Sequence, residues 1–262
     1  ILDPSYGEYA HIGQTVIGCQ VERIPLSLQN FEPSVYDIVQ QVRAAPRAKM
    51  LAIVNPNSPT GVALSRDEVE EIVKSLTNVT SWIDETYIDL FSYEIGSSQS
   101  VESLVRDYPN LIVCKSMSKF YALSGLRIGY LVASERLASK WETHSPPWSV
   151  GLLAQLAGIE ALLDGAYYSA KAEETRLLRL ELEHRLSELG LRVTPSCTNF
   201  LLFRTDKNFS AKGLVEYASQ EKVFLRNCQS LSPRFKDNAV RVAVKSAATN
   251  RIIVDVIRKY LE

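Results

Sequence analysis

The chain has 262 residues, 46% of them hydrophobic, and a formal net charge of −1. That length supports one large domain or two modest ones with a real core, and a charge so near balance gives no reason to expect nucleic acid or an anionic membrane as partner. The three histidines, His11, His144 and His184, lack metal-ligand spacing. The four cysteines, Cys19, Cys114, Cys197 and Cys228, form no CxxC pair and read as reduced, mostly buried thiols of a cytoplasmic protein.

The chain opens at Ile1 without a basic leader, and Ile1-Leu2-Asp3-Pro4 reads as the end of a strand entering a turn. A preceding segment is therefore expected. Lys49 to Val54 reads as a strand closed by Asn55-Pro56. Ser65 and Glu68 form a capping box, and Val69, Ile72, Val73 and Leu76 continue a helix behind it. Ser81 to Ile83 is a short buried strand running into Asp84. Leu111 to Cys114 is another, leading to Ser116-Met117-Ser118-Lys119, and Arg127 to Ala133 is a further strand. The alternation argues an α/β domain with a largely parallel sheet. Active groups then belong at the carboxyl ends of the strands, where Asn57, Asp84 and Ser116 fall.

From Gly151 the pattern changes. Gly151 to Leu163 is helical; the chain's longest apolar stretch, Val150 to Leu163, is interrupted by Gln155 and Glu160 and is too short to span a bilayer. Ala166 to Leu189 is a long charged helix stopped by Gly190. Short strands follow at Arg192 to Thr194, Phe200 to Phe203, Val223 to Arg226 and Val240 to Val244, with helices near Ala211 to Gln220 and Ala247 to Tyr260. The expected division is a large domain over residues 1–165 and a small α+β domain over 166–262 that includes the linking helix.

Three motifs carry chemistry. Lys119 lies among small and hydroxyl residues with Arg127 nearby in sequence, and a neighbouring cation with partial desolvation favours an amine that forms imines. The match of Ser116-x-x-Lys119 to a serine-nucleophile motif would need S-D-N and K-T-G downstream. Neither occurs, Lys245-Ser246-Ala247 being the nearest approach. Asp84 ends a buried strand, where a carboxylate needs a partner; it serves either as a structural acceptor or as the acid for a pyridine nitrogen. Tyr87 can offer a hydroxyl to a phenolate. Asn57-Ser58-Pro59-Thr60-Gly61 is a turn by composition. Tyr6 is either an aromatic platform or an ordinary half-buried ring. Arg241, inside the apolar strand, and Arg226, at a strand end, suit carboxylate or phosphate or two structural ion pairs.

These residues, from Pro4-Ser5-Tyr6-Gly7 through Asp84-Glu85-Thr86-Tyr87, the segment Ser116 to Gly129 and Arg241-Val242-Ala243-Val244, resemble the fold-type-I pyridoxal phosphate (PLP) dependent aminotransferases of class I and II. The resemblance is to the branch holding histidinol-phosphate aminotransferase and threonine-phosphate decarboxylase. It implies a PLP-dependent transferase fold: a large domain with a mostly parallel, seven-stranded-type sheet flanked by helices, plus the small domain. By that likeness Lys119 is the Schiff-base lysine, Asp84 pairs with the ring nitrogen, and Tyr87 and Asn57 serve the ring oxygen. Tyr6 stacks on the ring, Ser116 and Arg127 hold the cofactor phosphate, Arg241 takes the substrate carboxylate, and Arg226 helps hold a substrate phosphate. The family has asparagine directly before Pro-Thr-Gly, where this chain has Ser58, so either Asn57 or Ser58 can meet the ring. The resemblance also implies a preceding segment with a glycine-rich phosphate loop, a homodimer, and a small-molecule amino acid substrate, free or phosphorylated. Amino transfer is the leading expectation, with decarboxylation of an amino acid phosphate and a non-catalytic homologue as alternatives.

Overall fold

A computed structural model of the chain describes residues 1–205 and 210–262. In chain order the first elements are β1 (Leu2–Asp3), α1 (Gly7–His11), β2 (Ile24–Pro25), α2 (Val35–Arg43), β3 (Met50–Val54), α3 (Arg66–Ser75), β4 (Thr80–Asp84) and α4 (Ile88–Ile95). Next come β5 (Leu111–Ser116), β6 (Gly129–Val132), α5 (Glu135–Glu142), α6 (Leu152–Leu163) and α7 (Gly165–Glu188). The chain ends with β7 (Arg192–Thr194), β8 (Phe200–Arg204), α8 (Ala211–Gln220), β9 (Arg226–Asn227), β10 (Ala239–Ala243) and α9 (Ala247–Leu261). No helix among the described residues is long and apolar enough to cross a membrane.

The chain forms two compact units. One holds Ile1, Pro33–Pro56 and Ala63–Ala172; the other holds Leu2–Glu32, Asn57–Val62 and Glu173–Glu262. These bounds differ from a cut at 165/166. The N-terminal stretch sides with the C-terminal third for a physical reason. Asp3 is buried, pairs with Arg23 at 3.0 Å and accepts a hydrogen bond from Ser232 Oγ at 2.8 Å. Arg234 donates to the Leu26 carbonyl, and the Phe31 and Phe235 rings meet edge to face.

In the first unit the sheet runs β3-β4-β5-β6. The first three strands are parallel, and β6 returns antiparallel to β5. The loop from β5 to β6 contains no crossover helix, so the return strand has no way to lie parallel. Leu51, Ile53, Ile83, Leu111 and Val113 are buried to within 2% of full exclusion, the continuous apolar reading expected of strands covered on both faces. The sheet has four strands among the described residues where the resemblance implies seven; β1 and β2 pair with each other, in parallel, in a separate ribbon. Helix α3 starts with the capping box read from sequence: Ser65 Oγ accepts from Glu68 N–H, and Glu68 Oε2 accepts from Ser65 N–H at 2.7 Å. Such a cap contributes about 1 kcal/mol, and the wholly buried Val69, Ile72 and Val73 on the inner face contribute about 1.5–3 kcal/mol each.

Helix α6 is unusual. Its buried positions are the small residues Ala154, Gly158 and Ala161, spaced i, i+4, i+7, while its leucines face outward. A Cβ at Gly158 would come within 2.9 Å of Ile128 and 3.4 Å of the Met117 sulfur, so the glycine allows a close approach to the loop after β5.

In the second unit β7-β8-β10-β9 form an antiparallel sheet. Its core joins Leu201, Phe203, Val240 and Val242 to Leu182 and Leu186 of α7, Leu214 of α8 and Val254 and Ile257 of α9. Strand β9 is shorter than the Val223 to Arg226 expected. The alternation of buried Val223 and exposed Phe224 is real, but the Val223 amide ties back to the Ala218 carbonyl and closes α8 instead of entering the ladder.

Candidate active site

The first unit gathers five of the expected residues at one end of its sheet. Asp84 is the last residue of β4, 7% exposed, and faces Cys114 of β5 across the ladder. Its Oδ1 accepts from the Thr86 amide at 2.9 Å and the Thr86 hydroxyl at 2.6 Å. These local bonds orient a carboxylate that its neighbours register electrostatically: burial, and after it the Asp84 charge, pushes the Cys114 thiol up to about 11. Tyr87 is buried and stands at the start of α4, three residues on.

Ser116 ends β5, two residues beyond Cys114 and so on the same face as Asp84. Its Oγ accepts from the Ser118 amide at 3.2 Å, which turns the chain. The loop that follows is pinned at both ends. Met117 N–H bonds the Ile128 carbonyl, Leu123 N–H bonds the Met117 carbonyl, and Met117 itself is buried. Lys119 projects from this pinned loop with an exposed side chain. Arg127 closes the loop in a left-handed conformation, φ 53°, with its guanidinium donating to the Ser124 carbonyl at 3.0 Å. Held this way, it returns the chain to Gly129, which pairs with Ser116.

The second unit holds the other four. Arg241 of β10 and Arg226 of β9 are directly opposite in the antiparallel ladder, and their side chains therefore share a face. Arg241 donates to Ser58 Oγ at 2.8 Å, and its guanidinium lies 4.9 Å from the centre of the Phe200 ring. Arg226 is exposed. Tyr6 precedes α1 with 45% of its surface exposed and its ring edge-on to Tyr9.

Asn57 is buried and bonded on both sides of its turn. Its amide nitrogen donates to the Pro4 carbonyl at 2.9 Å and to Thr60 Oγ1 at 3.0 Å. Both amide hydrogens thus have partners within the protein, while Asn57 Oδ1 is buried without one; the side chain beside Arg241 is Ser58. The turn is completed by Gly61, whose N–H bonds the Asn57 carbonyl and whose own carbonyl takes the Cys197 amide. Gly61 has φ 77°, and a Cβ there would collide with Ser196 Oγ. Gly61→Ala should therefore destabilise the protein, by about 1–2 kcal/mol for the left-handed backbone and about 1–3 kcal/mol more for overpacking. A denaturant midpoint unchanged from wild type would contradict that.

With the site laid out, comparison with known proteins is decisive. The model of the aminotransferase class I and II family matches residues 1–257. The chain belongs to that family. It is 29% identical over 262 residues to a histidinol-phosphate aminotransferase from Cytophaga hutchinsonii, covering 99% of this chain and 71% of that protein. It is 31% identical over 269 aligned positions to the threonine-phosphate decarboxylase of Salmonella typhimurium, covering all of this chain and 70% of that one. The structure superposes on a histidinol-phosphate aminotransferase from Clostridium acetobutylicum with a TM-score of 0.87 at 24% identity, covering 99% of this chain and 76% of that one. A decarboxylase from Sulfurospirillum multivorans gives the same TM-score at 21% identity, over 100% and 75% of the two chains.

The protein is thus a PLP-dependent enzyme of the aminotransferase kind, and its residues fit that cofactor. A buried, locally oriented carboxylate at a strand end is the acceptor a protonated pyridine needs. A hydroxyl at the end of the neighbouring strand and an exposed guanidinium in the following loop are donors for a phosphate. Sequence reasoning missed the Ser58–Arg241 bond, which links residues 183 positions apart, and the Thr86 bonds to Asp84. The second was within reach, because an Asp followed two residues later by Thr is a local capping pattern.

Proposed function

We propose that this aminotransferase-family enzyme acts on an amino acid carrying a distal anion, an amino acid phosphate, and transfers its amino group. The observation that carries the reading is the cross-strand pair Arg226 and Arg241. Like charges directly opposite on one sheet face are unfavourable, and a substrate with two anionic groups relieves them. Arg241, fixed by Ser58 and stacked near Phe200, is preorganised for the α-carboxylate. Exposed Arg226 is the partner for the distal phosphate.

When bound, PLP takes up the substrate amine and withdraws electrons from the bonds at Cα. The chain's own residues set the conditions for that. Lys119 would hold the cofactor through its Nζ and, once displaced by the substrate amine, that Nζ would take the proton lost from substrate Cα. Asp84 keeps a proton on the ring nitrogen. The Tyr87 hydroxyl donates to the ring oxygen, Tyr6 stacks on the ring, and Ser116 and Arg127 hold the phosphate. Asn57 shapes the turn that presents Ser58.

Arg241→Ala should impair every amino acid substrate. Arg226→Ala should impair only those with a distal phosphate or carboxylate, and removing a bidentate partner of a charged group costs about 2–5 kcal/mol. Equal losses for alanine and for a phosphorylated amino acid in Arg226→Ala would sink the division of labour. A second reading is decarboxylation of an amino acid phosphate, which the 31% identity to the Salmonella decarboxylase favours. Assaying the products with amino acid phosphates separates the two: a keto product supports transfer, carbon dioxide supports the lyase.

The homodimer belongs to the same proposal. Leu152, Leu153, Leu156, Ile159, Leu162 and Leu163 of α6 are each more than half exposed. A contiguous apolar face of this kind marks an interface, and a second copy of the chain would cover it. Sedimentation at monomer mass, with the Leu faces intact, would contradict this. The four cysteines are free, and only Cys228 is buried, fewer than expected, with Cys19 exposed; free thiols fit a reducing, cytoplasmic setting.

A further inference from the structure

On the reverse side of the first unit's sheet lies a buried charge cluster that the proposed chemistry does not use. Side chains alternate along a strand, so Lys115 points away from the face shared by Asp84, Cys114 and Ser116. Its Nζ lies 3.4 Å from Glu85 Oε2, 3.7 Å from Asp89 Oδ1 and 3.7 Å from Glu102 Oε1, with the lysine side chain 10% exposed and that of Glu85 fully excluded. Glu85 is held further by two donors: the Ser100 hydroxyl at 2.6 Å and the Val101 amide at 2.7 Å. The Tyr130 hydroxyl donates to Glu102 at 2.7 Å, and Tyr130 is the cross-strand partner of Lys115.

The charges work against burial. Burial pushes the Glu85 and Asp89 carboxyls up, and the Lys115 ammonium pulls each back. Burial would lower Lys115, but Asp89, Glu85 and Glu102 together hold it above its ordinary value. The ammonium is therefore the cation that lets three carboxylates meet. It is also no nucleophile, which separates it from Lys119 four residues on.

The placement is what matters. Glu85 is the residue after Asp84, and Lys115 is the residue before Ser116. The Glu85 amide also bonds the Cys114 carbonyl at 2.8 Å. We propose that Lys115 and Glu85 are positioning residues for the cofactor site, a buried pair that ties the ends of β4 and β5 together from behind and fixes Asp84 relative to Ser116. This rests on the reading above in which Asp84 meets the ring nitrogen and Ser116 the phosphate. A merely structural pair would change stability alone. A positioning pair changes both how tightly PLP binds, through Ser116, and the ring's electrostatic surroundings, through Asp84.

The test titrates PLP into wild-type protein and into Glu85→Gln, Lys115→Met and Asp84→Asn. It reads the dissociation constant, the pH midpoint of the bound cofactor's visible absorption, and the melting temperature. Glutamine can still accept from Val101 and meet Ser100, so Glu85→Gln is the mild variant, and it alone decides if Lys115→Met does not fold. The expected result is a folded Glu85→Gln protein that binds PLP at least about tenfold more weakly, modest beside the effect of a 1 Å misplacement, and whose pH midpoint has moved. Wild-type affinity and midpoint in Glu85→Gln, alongside a moved midpoint in Asp84→Asn, would overturn the proposal and leave the cluster as a brace for the sheet. An unmoved midpoint in both would overturn the assignment of Asp84, and this inference with it.

Discussion

Lys119→Ala should leave the protein folded and abolish its turnover. The lysine side chain is exposed on a loop pinned by Met117, Leu123 and Ile128 backbone bonds, so truncating it removes little packing; exposed substitutions of this kind stay within about 0.5 kcal/mol. The rate should nevertheless fall by at least about 10²–10⁴-fold, the range for losing one positioned proton-transfer group, and further because the same amine is the proposed covalent anchor. Two measurements check the split. Melting temperatures should agree between variant and wild type. Borohydride treatment should fix PLP on the wild-type peptide that contains Lys119 and on no peptide of the variant. Covalent cofactor on another residue, with turnover retained, would overturn the assignment.

The local signals in the chain were the dependable ones. The capping box at Ser65 and Glu68 and the glycine stop after α7, where Gly190 adopts φ 76°, are encoded within a few residues and survive any tertiary context. Periodicity placed α8 and α9 and the buried strands β3, β4 and β5 to within two residues. It missed α1, α2, α4 and α5; α4 does end on a left-handed glycine, Gly96, but these four helices are only five to nine residues long, too short for a clear 3.6-residue repeat. It overextended β9 because alternating burial also arises in a chain segment tied to a helix end. The grouping of Leu2–Glu32 with the C-terminal third could not be read at all. It depends on Asp3 meeting Arg23, Ser232 and Arg234, and no periodicity reports a pairing across 200 residues.

The same divide runs through the site. The strand-end positions of Asp84 and Ser116 were legible because a parallel sheet puts functional groups there. The opposition of Arg226 and Arg241 was not, because register is fixed by which strands pair, and β9 and β10 were seen separately. Asn57 was assigned by resemblance to a ring contact, yet its amide is consumed by Pro4 and Thr60. Its Oδ1 stays buried without a partner, a costly arrangement that a bound group could relieve. The substitution of serine before Pro59 then matters more than the retained asparagine, because Ser58 is the residue that Arg241 touches.

Asp84→Asn should cost turnover far more than it costs folding or cofactor retention. Asparagine keeps the size of the side chain and an oxygen for the Thr86 amide and hydroxyl, so the turn after β4 stays in place. What it lacks is the negative charge. A neutral amide cannot hold a proton on a pyridine nitrogen as a carboxylate does, and charge-assisted bonds are roughly twice as strong as neutral ones. Removing one preorganised electrostatic partner from a buried site costs about 10²–10³-fold in rate, and Asp84 is 7% exposed, where water cannot replace it. Asp84→Ala should be worse, since it also strands the Thr86 donors. Cofactor affinity in Asp84→Asn should change by much less than the rate, because the contacts proposed for Ser116, Arg127 and Lys119 do not involve Asp84. The absence of the charge has a second signature inside the protein. With Asp84 neutral, one of the two influences raising the Cys114 thiol is gone. Its titration, followed by thiol reactivity in unloaded protein, should therefore move down from about 11 while burial keeps it above the ordinary value. Near-normal turnover in Asp84→Asn, with the Cys114 titration shifted as expected, would show that the charge is removed and the chemistry does not need it.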